Sequence, residues 1–430
     1  GKYSGSKSIL GSPIDVEMLI DSPTTLDVNI TMDSRVPCTG EKYTYDGGST
    51  ITLLGLNTPG DCIHDALAGM SGLTFQSVTY DSAADTIMVT ANYSFLPVSI
   101  SLSKPPPVDL ASRAREAESA EERERWFTAF LSKFGRAYDG AERERRRTIF
   151  EANLDRITRR NLDGELGHHF VNKYADMNPE EFRASHLGYT PKASSEEELP
   201  LAESATAASI DWRTHSPAVL TPVKDQGQCG SCWAFSATEQ IETDVAMATG
   251  KLYTLSPQQI VSCDKTDLGC DGGNTETAYS YVKAAGLQPE SSYPYTSGKT
   301  GKDGKCEYDK AQTVVKIGGY STVSSSKKGE KKMLTQIQKS PISVCVDATE
   351  WQTYSSGVLG KSCGTQLDHC VQAVGYNANK GYWVVRNSWN TDWGVNGYIY
   401  VKEGIDACGI AKDATIVKGA TAESSPVELA

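Results

Sequence analysis

Short runs of alternating apolar and polar residues dominate the first hundred positions, which are rich in Thr, Val, Ile, Ser and Asp. The run Thr86–Ala91 has the period of two that a half-buried strand requires, and Ser82–Asp85 before it reads as a hairpin turn. One short helix is predicted from Asp61, as its N-cap, to Gly69. These patterns predict a small β-rich α+β domain over residues 1–104.

A helical periodicity replaces the alternation after residue 111, where Glu, Arg and Ala become frequent. Trp126, Phe130 and Phe134 recur at every fourth position and therefore share one helix face. A second set of residues, spaced by 4, 4, 3, 4 and 4 positions, lies on one side of a second predicted helix: Glu142, Arg146, Phe150, Asn153, Ile157 and Asn161. Residues 105–118, which begin with three prolines, are predicted to form a stiff linker before these helices.

The second half of the chain passes from helical to strand-like patterns. Helices are predicted at Cys232–Met247 and Ser256–Ser262, and strands at Ile342–Asp347, His369–Tyr376, Tyr382–Asn387 and Tyr398–Lys402. A helical half followed by a strand-rich half favours an α+β fold of two lobes, with a cleft between them. We assign residues 207–418 to this domain and residues 419–430 to a C-terminal tail.

Charge and cysteine content limit the partners and the compartment. The 430-residue chain has a formal net charge of −12 and a pI of about 5.1, which disfavours nucleic acid and anionic membranes as partners. No apolar run reaches the roughly 18 residues of a membrane span. Eleven cysteines indicate an oxidising compartment, so we expect a secreted or a lysosomal or vacuolar protein. Asn29 and Asn92 begin glycosylation sequons.

The candidate chemistry centres on a thiol at the start of a predicted helix. The helix dipole at Cys232 favours the thiolate, which is the nucleophile that peptide-bond cleavage needs. Gln226 supplies an amide six residues upstream, and His369 is the one histidine well downstream in the same region. Cys229 and Cys232 could instead form a zinc half-site or a redox pair, but no second Cys pair or His pair follows at the zinc spacing.

An ordered series of motifs makes residues from about 207 to 418 resemble the papain family of cysteine peptidases. The series includes Asp211-Trp212-Arg213, Val223-Lys224-Asp225-Gln226-Gly227, Cys229-Gly230-Ser231-Cys232-Trp233, Gly269-Cys270-Asp271-Gly272-Gly273, Asn387-Ser388-Trp389 and Cys408-Gly409-Ile410. The resemblance implies a helical left lobe and a β-barrel-like right lobe. It also implies that Cys232 attacks the scissile carbonyl, while His369 keeps the sulfur ionised and protonates the leaving amine.

The resemblance assigns supporting roles as well. Asn387 would orient the imidazole, and Trp389 would shield that hydrogen bond from water. Gln226 Nε2 and the backbone N–H of Cys232 would face the developing oxyanion. For Cys232 the resemblance implies a lowered thiol pKa. No metal and no cofactor is expected.

The resemblance also implies a set of substrate-binding residues: Gly272, Gly273, Asn274, Thr275, Cys345, Asp368, Cys370, Trp389 and Asp413. Asp413 would lie at the floor of the S2 pocket, which receives the second residue before the scissile bond. A carboxylate there would favour Arg or Lys, more weakly as the pH falls toward its pKa. Alternatively, Asp413 is a surface residue that points away. Polar Asn274 and Thr275 argue against a deep apolar pocket.

Disulfide pairing follows partly from the same resemblance, which implies the pairs Cys229–Cys270, Cys263–Cys306 and Cys363–Cys408. Cys38 and Cys62 stand alone in the N-terminal region and are expected to pair. Cys345 and Cys370 are expected to be neighbours. They either form a fifth disulfide or remain two buried free thiols that act as small hydrophobic residues.

Residues 119–206 resemble the inhibitory propeptide of the cathepsin L-like branch, through the six-position spacing of the second helix. Phe170–Asp176 resembles a second propeptide motif, with Phe170 in place of the usual Gly and Tyr174 in place of the usual Phe. Acid pH should loosen the propeptide by protonating paired carboxylates such as Asp176.

The resemblance implies how latency and activation would work. The chain after about Leu187 would cross the cleft with reversed polarity, which keeps it from being cut readily. Cleavage within Leu199–Ser209, a polar strip rich in Ala and Ser, would activate the enzyme.

These observations predict a cysteine endopeptidase made as a latent zymogen, with polypeptide substrates and its own propeptide as intramolecular inhibitor. We recognise no occluding insertion of the kind that would indicate an exopeptidase, so endopeptidase action is expected. The alternative is a non-catalytic or permanently latent structural or binding component that retains the zymogen fold. Nothing in residues 1–104 identifies a partner.

Overall fold

The computed structural model describes residues 1–32, 35–70, 72–104, 119–163, 167–192, 198–200 and 208–423. They belong to two compact units, Gly1–Asp163 and Gly164–Ala430. The predicted linker 105–118, most of the predicted cleavage strip and the end of the tail lie outside the described residues. No helix among the described residues has the length and apolar character that a membrane span needs.

The described part of the first unit contains eight antiparallel strands that pair in chain order. Their bounds are β1 Lys2–Ile9, β2 Ser12–Ile20, β3 Thr25–Thr31, β4 Arg35–Tyr45, β5 Thr50–Leu53, β6 Leu73–Asp81, β7 Thr86–Tyr93 and β8 Leu96–Leu102. Ser4 and Ser103 exchange backbone hydrogen bonds of 3.2 and 3.0 Å, which closes the sheet into a barrel. Gly5 permits this closure, because a Cβ there would lie 2.2 Å from the Ser101 carbonyl oxygen.

Apolar side chains fill the barrel because they alternate along each strand. On β2, for example, Ile14, Val16 and Met18 are buried while the intervening residues are partly exposed. Helix α1, Cys62–Gly69, follows β5 and is capped by the Asp61 side chain, which accepts from the Ile63 backbone N–H. The predicted β-rich domain, its helix and its hairpin turn are therefore confirmed. Closure of the sheet was not predicted.

Two helices, α2 Ala120–Lys133 and α3 Gly140–Leu162, complete the first unit. Ser119 caps α2 by accepting from the Glu122 backbone N–H. The rings of Phe127 and Phe130 meet Phe150 of α3 at centroid distances of 5.4 and 5.1 Å. Both helices lie where the fourfold spacings predict them, because those spacings place the aromatic residues on one buried face.

The second unit contains helices and strands in a mixed order. The helices are α4 Pro179–His186, α5 Cys232–Thr249, α6 Pro257–Cys263, α7 Thr275–Ala285, α8 Ser297–Thr300 and α9 Glu330–Ile337. The strands are β9 Gly167–His169, β10 Ile210–Asp211, β11 Val315–Lys316, β12 Gly319–Ser324, β13 Ile342–Val346, β14 Tyr354–Leu359, β15 His369–Asn377, β16 Tyr382–Arg386, β17 Tyr398–Lys402, β18 Ala414–Lys418 and β19 Thr421–Ala422.

Two apolar cores correspond to the two predicted lobes. One core lies among α5, α6 and α7 and includes Ile241, Ile260 and Tyr279. The other lies against the sheet that runs in the order β12-β18-β13-β15-β16-β17-β14-β9. The predicted α+β architecture is therefore confirmed, and β17 has the predicted bounds.

Five disulfides connect ten of the eleven cysteines, and the four pairings expected without alternatives are confirmed. Cys345 and Cys370 lie directly opposite each other on β13 and β15 and form the fifth bridge, with 4.0 Å between their Cα atoms. The alternative of two free thiols is wrong. Because Cys229 is bonded to Cys270, it cannot form a zinc half-site or a redox pair with Cys232, the one free cysteine.

Candidate active site

Cys232 is the first residue of α5, as predicted, and its side chain is fully buried. The chain that covers it comes from the propeptide-like segment, which approaches the backbone before α5 closely. A Cβ on Gly188 would lie 1.8 Å from the Gly230 carbonyl oxygen, so only glycine fits at this position. The sulfur at the start of α5 is therefore covered by a segment of its own chain and has no contact with solvent.

His369 and Asn387 form the pair that the motifs predict. His369 Nε2 lies 2.8 Å from Asn387 Oδ1, and both residues are fully buried. The Trp389 ring covers this pair, with 4.7 Å between its centroid and that of the imidazole. Nδ1 of His369 has no hydrogen-bond partner among the described residues. Cys370, next in sequence, packs against Cys232.

Gln226 directs its amide at a carbonyl of the covering segment. Its Nε2 donates to the His186 carbonyl oxygen at 3.1 Å and to the Cys229 carbonyl oxygen at 2.9 Å. Its Oε1 accepts from Ser388 Oγ at 2.8 Å and from Trp389 Nε1 at 3.1 Å. The amide orientation is thus fixed at both ends, and its N–H group is donated to a peptide carbonyl of the covering segment.

The covering segment crosses between the two lobes as an extended chain. On one side, Gly273 N–H donates to the Gly188 carbonyl and Thr190 N–H donates to the Gly273 carbonyl, both at 2.8 Å. On the other side, Tyr189 N–H donates to the Asp368 carbonyl at 3.0 Å. The bridge between Tyr189 and Gly273 is parallel, which gives the polarity of the segment relative to the Gly272–Gly273 strip.

Tyr189 occupies a pocket formed by several of the predicted substrate-binding residues. Its ring packs with Cys232 and with the Cys345–Cys370 disulfide. Its hydroxyl donates to the Asp413 carboxylate, so Asp413 points into this pocket and not away from it. The pocket floor is therefore polar, and one wall is a disulfide.

Asn274 and Thr275 contribute mainly to the start of helix α7, a role that the sequence did not indicate. Asn274 Oδ1 caps α7 by accepting from the backbone N–H of Glu276 at 2.8 Å, and its Nδ2 lies 3.4 Å from the Thr190 carbonyl. Thr275, the first residue of α7, is fully buried. Within the described part of the covering segment, the hydrogen bond to Thr190 is the contact that Asn274 makes, and it is a long one.

The charges of the proposed catalytic pair differ from the expectation. Burial raises the pKa of the Cys232 thiol to about 11, and burial lowers the pKa of His369 to about 4, against a smaller raising effect of Asn387. The lowered thiol pKa expected from the resemblance is therefore wrong for the covered state. Both groups are neutral near pH 7, because the segment around Gly188 and Tyr189 excludes the water that would stabilise an ion pair.

The pKa values of two carboxyl groups in the cleft are shifted as well. Burial, followed by the repulsion of Glu276, raises the pKa of Asp413 to about 7, while the Tyr189 hydroxyl opposes the shift. Burial raises the pKa of Asp368 to about 6, although the backbone N–H of Ala348 donates to it at 2.8 Å. Opening the cleft should lower both pKa values, since burial is the first cause in each case.

The sequence did not point to His186, which the structure places in the cleft. Its ring stacks on Phe182 with centroids 5.0 Å apart and meets the edge of Tyr174 at 4.6 Å. Burial, then the charge of Lys173, lowers the pKa of His186 to about 3. Tyr174 and Lys173 belong to the predicted propeptide motif, but no local pattern marks the histidine that packs on Tyr174 and lies near the charge of Lys173.

Comparisons with known proteins identify two families along the chain. A family model described as papain family cysteine protease matches residues 206–418, and one described as cathepsin propeptide inhibitor domain (I29) matches residues 127–182. "Cysteine proteinase 1" of Zea mays is 38% identical over 318 residues, which cover 66% of this chain and 83% of the maize protein. The "KDEL-tailed cysteine endopeptidase CEP2" of Arabidopsis thaliana is 38% identical over 296 residues, covering 64% and 80%.

A solved structure shares the fold of the same region. Digestive procathepsin L 3 of Tenebrio molitor larval midgut superposes with a TM-score of 0.60 at 31% identity, and the match covers 70% of this chain and 100% of that one. The fold and site define a cysteine endopeptidase that carries an inhibitory propeptide. The chain belongs to the papain family of cysteine proteases.

Proposed function

We propose that the chain is a zymogen whose catalytic residues are Cys232, His369, Asn387 and Gln226. The hydrogen bond from Gln226 Nε2 to the propeptide carbonyl of His186 carries this proposal. It brings a peptide carbonyl to the donor expected to stabilise an oxyanion, in the same covering segment whose Gly188 lies against the backbone just before the free thiol, Cys232.

The proposed mechanism begins when the covering segment leaves. Water then enters the cleft, and a proton passes from the Cys232 sulfur to the free nitrogen of His369. The thiolate attacks the scissile carbonyl carbon. The carbonyl oxygen then becomes negatively charged and accepts a hydrogen bond from Gln226 Nε2. The imidazolium protonates the leaving amine, water hydrolyses the thioester, and Asn387 holds the ring in one orientation throughout.

The parallel bridge of Tyr189 supports the proposed basis of latency. A substrate that ran antiparallel to Gly273 would present its scissile carbonyl to the sulfur, whereas the observed direction reverses each peptide unit. A reversed chain retains the backbone hydrogen bonds of binding but misplaces the reacting carbonyl. The segment therefore inhibits without being a good substrate.

We also propose the division into barrel domain 1–104, linker 105–118, propeptide 119–206, peptidase domain 207–418 and tail 419–430. Five disulfides and the KDEL-tailed relative support a place in the secretory pathway, in a secreted or a lysosomal or vacuolar protein. Asn29 and Asn92 remain predicted glycosylation sites.

Replacing Gln226 tests the oxyanion role. Gln226→Ala should lower kcat of the matured enzyme by about 10²–10³-fold with a smaller change in KM, because the lost donor acts mainly in the transition state. The measurement uses internally quenched peptides whose two ends are blocked. Cleavage of such peptides gives kcat and KM and also shows endopeptidase action, because an exopeptidase needs a free end. Gln228→Ala, which removes an exposed amide two residues away, is the matched control and should leave kcat unchanged. Equal activity of the two variants would remove Gln226 from the mechanism.

The pH dependence of specificity tests Asp413 as the S2 floor. Its pKa is raised, so the carboxylate is neutral below about 7 in the covered state and gains charge as the pH rises. In the matured enzyme, kcat/KM for a peptide with Arg in S2 should rise with pH relative to one with Leu. Asp413→Asn should abolish that rise while leaving the Leu peptide within about twofold. A pH-independent Arg-to-Leu ratio in the unmodified enzyme would contradict this assignment.

A further inference from the structure

The N-terminal barrel lies outside both matched family models, which begin at residues 127 and 206. Within the first unit, however, the barrel and the two helices α2 and α3 are not independent. Their contacts occur at the start of α2, in its middle and at the end of α3. These contacts identify a surface of the barrel, defined here as the helix-docking surface: Lys7, Leu10, Gly11, Phe95 and Pro97.

Two of these contacts hold α2. Lys7 Nζ of β1 lies 2.8 Å from Glu122 Oε2, whose side chain is only 7% exposed. One turn further along, the fully buried Trp126 donates from Nε1 to the Pro97 carbonyl oxygen of β8 at 2.9 Å. If α2 leaves the barrel, both contacts are exchanged for contacts with water and the buried indole ring is exposed, so the ion pair, the hydrogen bond and the ring burial all favour the docked helix.

The end of α3 is held by the turn between β1 and β2. Asn161 Nδ2 donates to the Leu10 carbonyl oxygen at 2.6 Å. Gly11 makes this approach possible, because a Cβ there would lie 2.9 Å from the Thr158 carbonyl oxygen and 3.1 Å from Asn161 Cβ. Asn161 is the last position of the six-residue propeptide spacing, so a residue of the inhibitor itself contacts the barrel.

An aromatic contact completes the surface. The ring of Phe95, between β7 and β8, meets Phe134 edge-on with 5.4 Å between centroids. Phe134 in turn contacts Phe130 at 5.1 Å, and Phe130 contacts Phe150 of α3. The barrel is thus continuous with the aromatic core that holds the two helices together.

We propose that the barrel is a folding clamp for the inhibitor: its helix-docking surface holds α2 and α3 in their helical form, and thereby strengthens latency. A segment of two charge-rich helices whose own core is one aromatic cluster gains further stability from the surface against which it packs. The matched inhibitor model spans residues 127–182, so most of α2, all of α3 and the chain that leads to the cleft belong to one inhibitor segment. The effect on latency rests on the proposed function, whereas the clamp itself does not.

Hydrogen exchange on the full chain with Cys232→Ala, in which self-cleavage cannot interfere, tests the clamp. Lys7→Glu places two carboxylates face to face and should reduce the protection of amides in residues 120–133 by at least about tenfold. The exchanged pair, Lys7→Glu with Glu122→Lys, should restore most of the protection. Lys2→Glu breaks the exposed Lys2–Glu17 pair of the same barrel and is the matched control, expected to change nothing in α2.

Two further readouts keep the outcomes separate. Amides of β6 and β7 report whether the barrel stays folded in Lys7→Glu; if it does not, the milder Lys7→Met decides the question. In the chain with Cys232 intact, Lys7→Glu should speed acid activation at least threefold. If a Lys7 variant with a folded barrel shows unchanged exchange in α2, the barrel does not stabilise the inhibitor helices and the clamp is disproved. If exchange in α2 becomes faster but the chain with intact Cys232 never matures, the clamp is supported and the proposed function is rejected.

Discussion

Cys232→Ser is expected to yield a full-length chain that does not mature at any pH. Serine keeps the size of the side chain but is a far weaker nucleophile without a strong base, so hydrolysis should fall by about 10⁴-fold or more. Intact mass after acid treatment measures processing, and quenched peptides measure activity. Five disulfides and the buried surroundings of the site remain, so the variant should fold.

Addition of matured wild-type enzyme supplies the control for this variant. It should cut Cys232→Ser within the predicted strip before residue 210, which shows that the strip is accessible and that only the nucleophile is missing. Self-processing of the serine chain at the wild-type rate would disprove self-activation through this thiol. A wild-type chain that also stays uncut and inert would instead favour the alternative of a permanently latent structural component.

His186→Phe is expected to shift acid activation to lower pH by about one unit or more. The docked histidine has a pKa lowered to about 3, below its free value of 6.5. The docked state therefore loses stability as the pH falls from 6.5 toward 3, by up to about tenfold per unit. Phenylalanine can stack on Phe182 in the same place but cannot be protonated, so this part of the pH dependence disappears.

The groups that face His186 make it a better acid trigger than the carboxylates. Its ring packs with Phe182, Tyr174 and Trp389, and its Nδ1 lies 2.7 Å from Ser185 Oγ. Burial, then the charges of Lys173 and His369, lower its pKa, against a smaller raising effect of the Phe182 backbone. Glu198, which pairs with Lys332, has a pKa lowered from 4.5 to about 2, so its contribution to docking is lost only as the pH falls below 4.5, whereas that of His186 is lost from 6.5 downward. Asp176 is buried in the same region, and its role as a trigger remains a prediction.

His168→Phe is the matched control, because His168 lies in the same propeptide half but is exposed. Its replacement should leave the pH of half-maximal activation unchanged. The rate of precursor loss, followed by gel at half-unit pH intervals, measures both variants. An activation profile of His186→Phe that coincides with the wild type would mean that protonation of this ring does not release the propeptide.

The sequence was most informative where chemistry depends on local motifs. Cys232, Gln226, His369 and Asn387 each lie in a run of residues that identifies its surroundings, and the structure brings His369 and Asn387 together as expected. Local motifs could not predict the register between paired strands. The bridge between Cys345 and Cys370 depends on how β13 aligns with β15, so two alternatives stayed open until the pairing was seen.

Long-range packing accounts for the remaining differences. The contact of Tyr189 with Asp413 joins positions 224 residues apart, and barrel closure joins Ser4 to Ser103. Neither leaves a local pattern. The wrong direction of the Cys232 pKa has the same origin, since the resemblance describes an open cleft and the chain buries its own thiol. In the covered state, burial raises the pKa of the thiol and lowers that of the imidazole, which disfavours the ion pair.

Labelling of Cys232 by an epoxide thiol trap tests the central claim most directly, because it reports ionisation and access together. Intact mass of the precursor at pH 7 should show almost no adduct, consistent with a buried thiol whose pKa is raised to about 11. After acid treatment and loss of the segment before about residue 205, one adduct on Cys232 should form rapidly. Rapid labelling of the intact precursor, or a matured chain that takes up no label, would contradict the account.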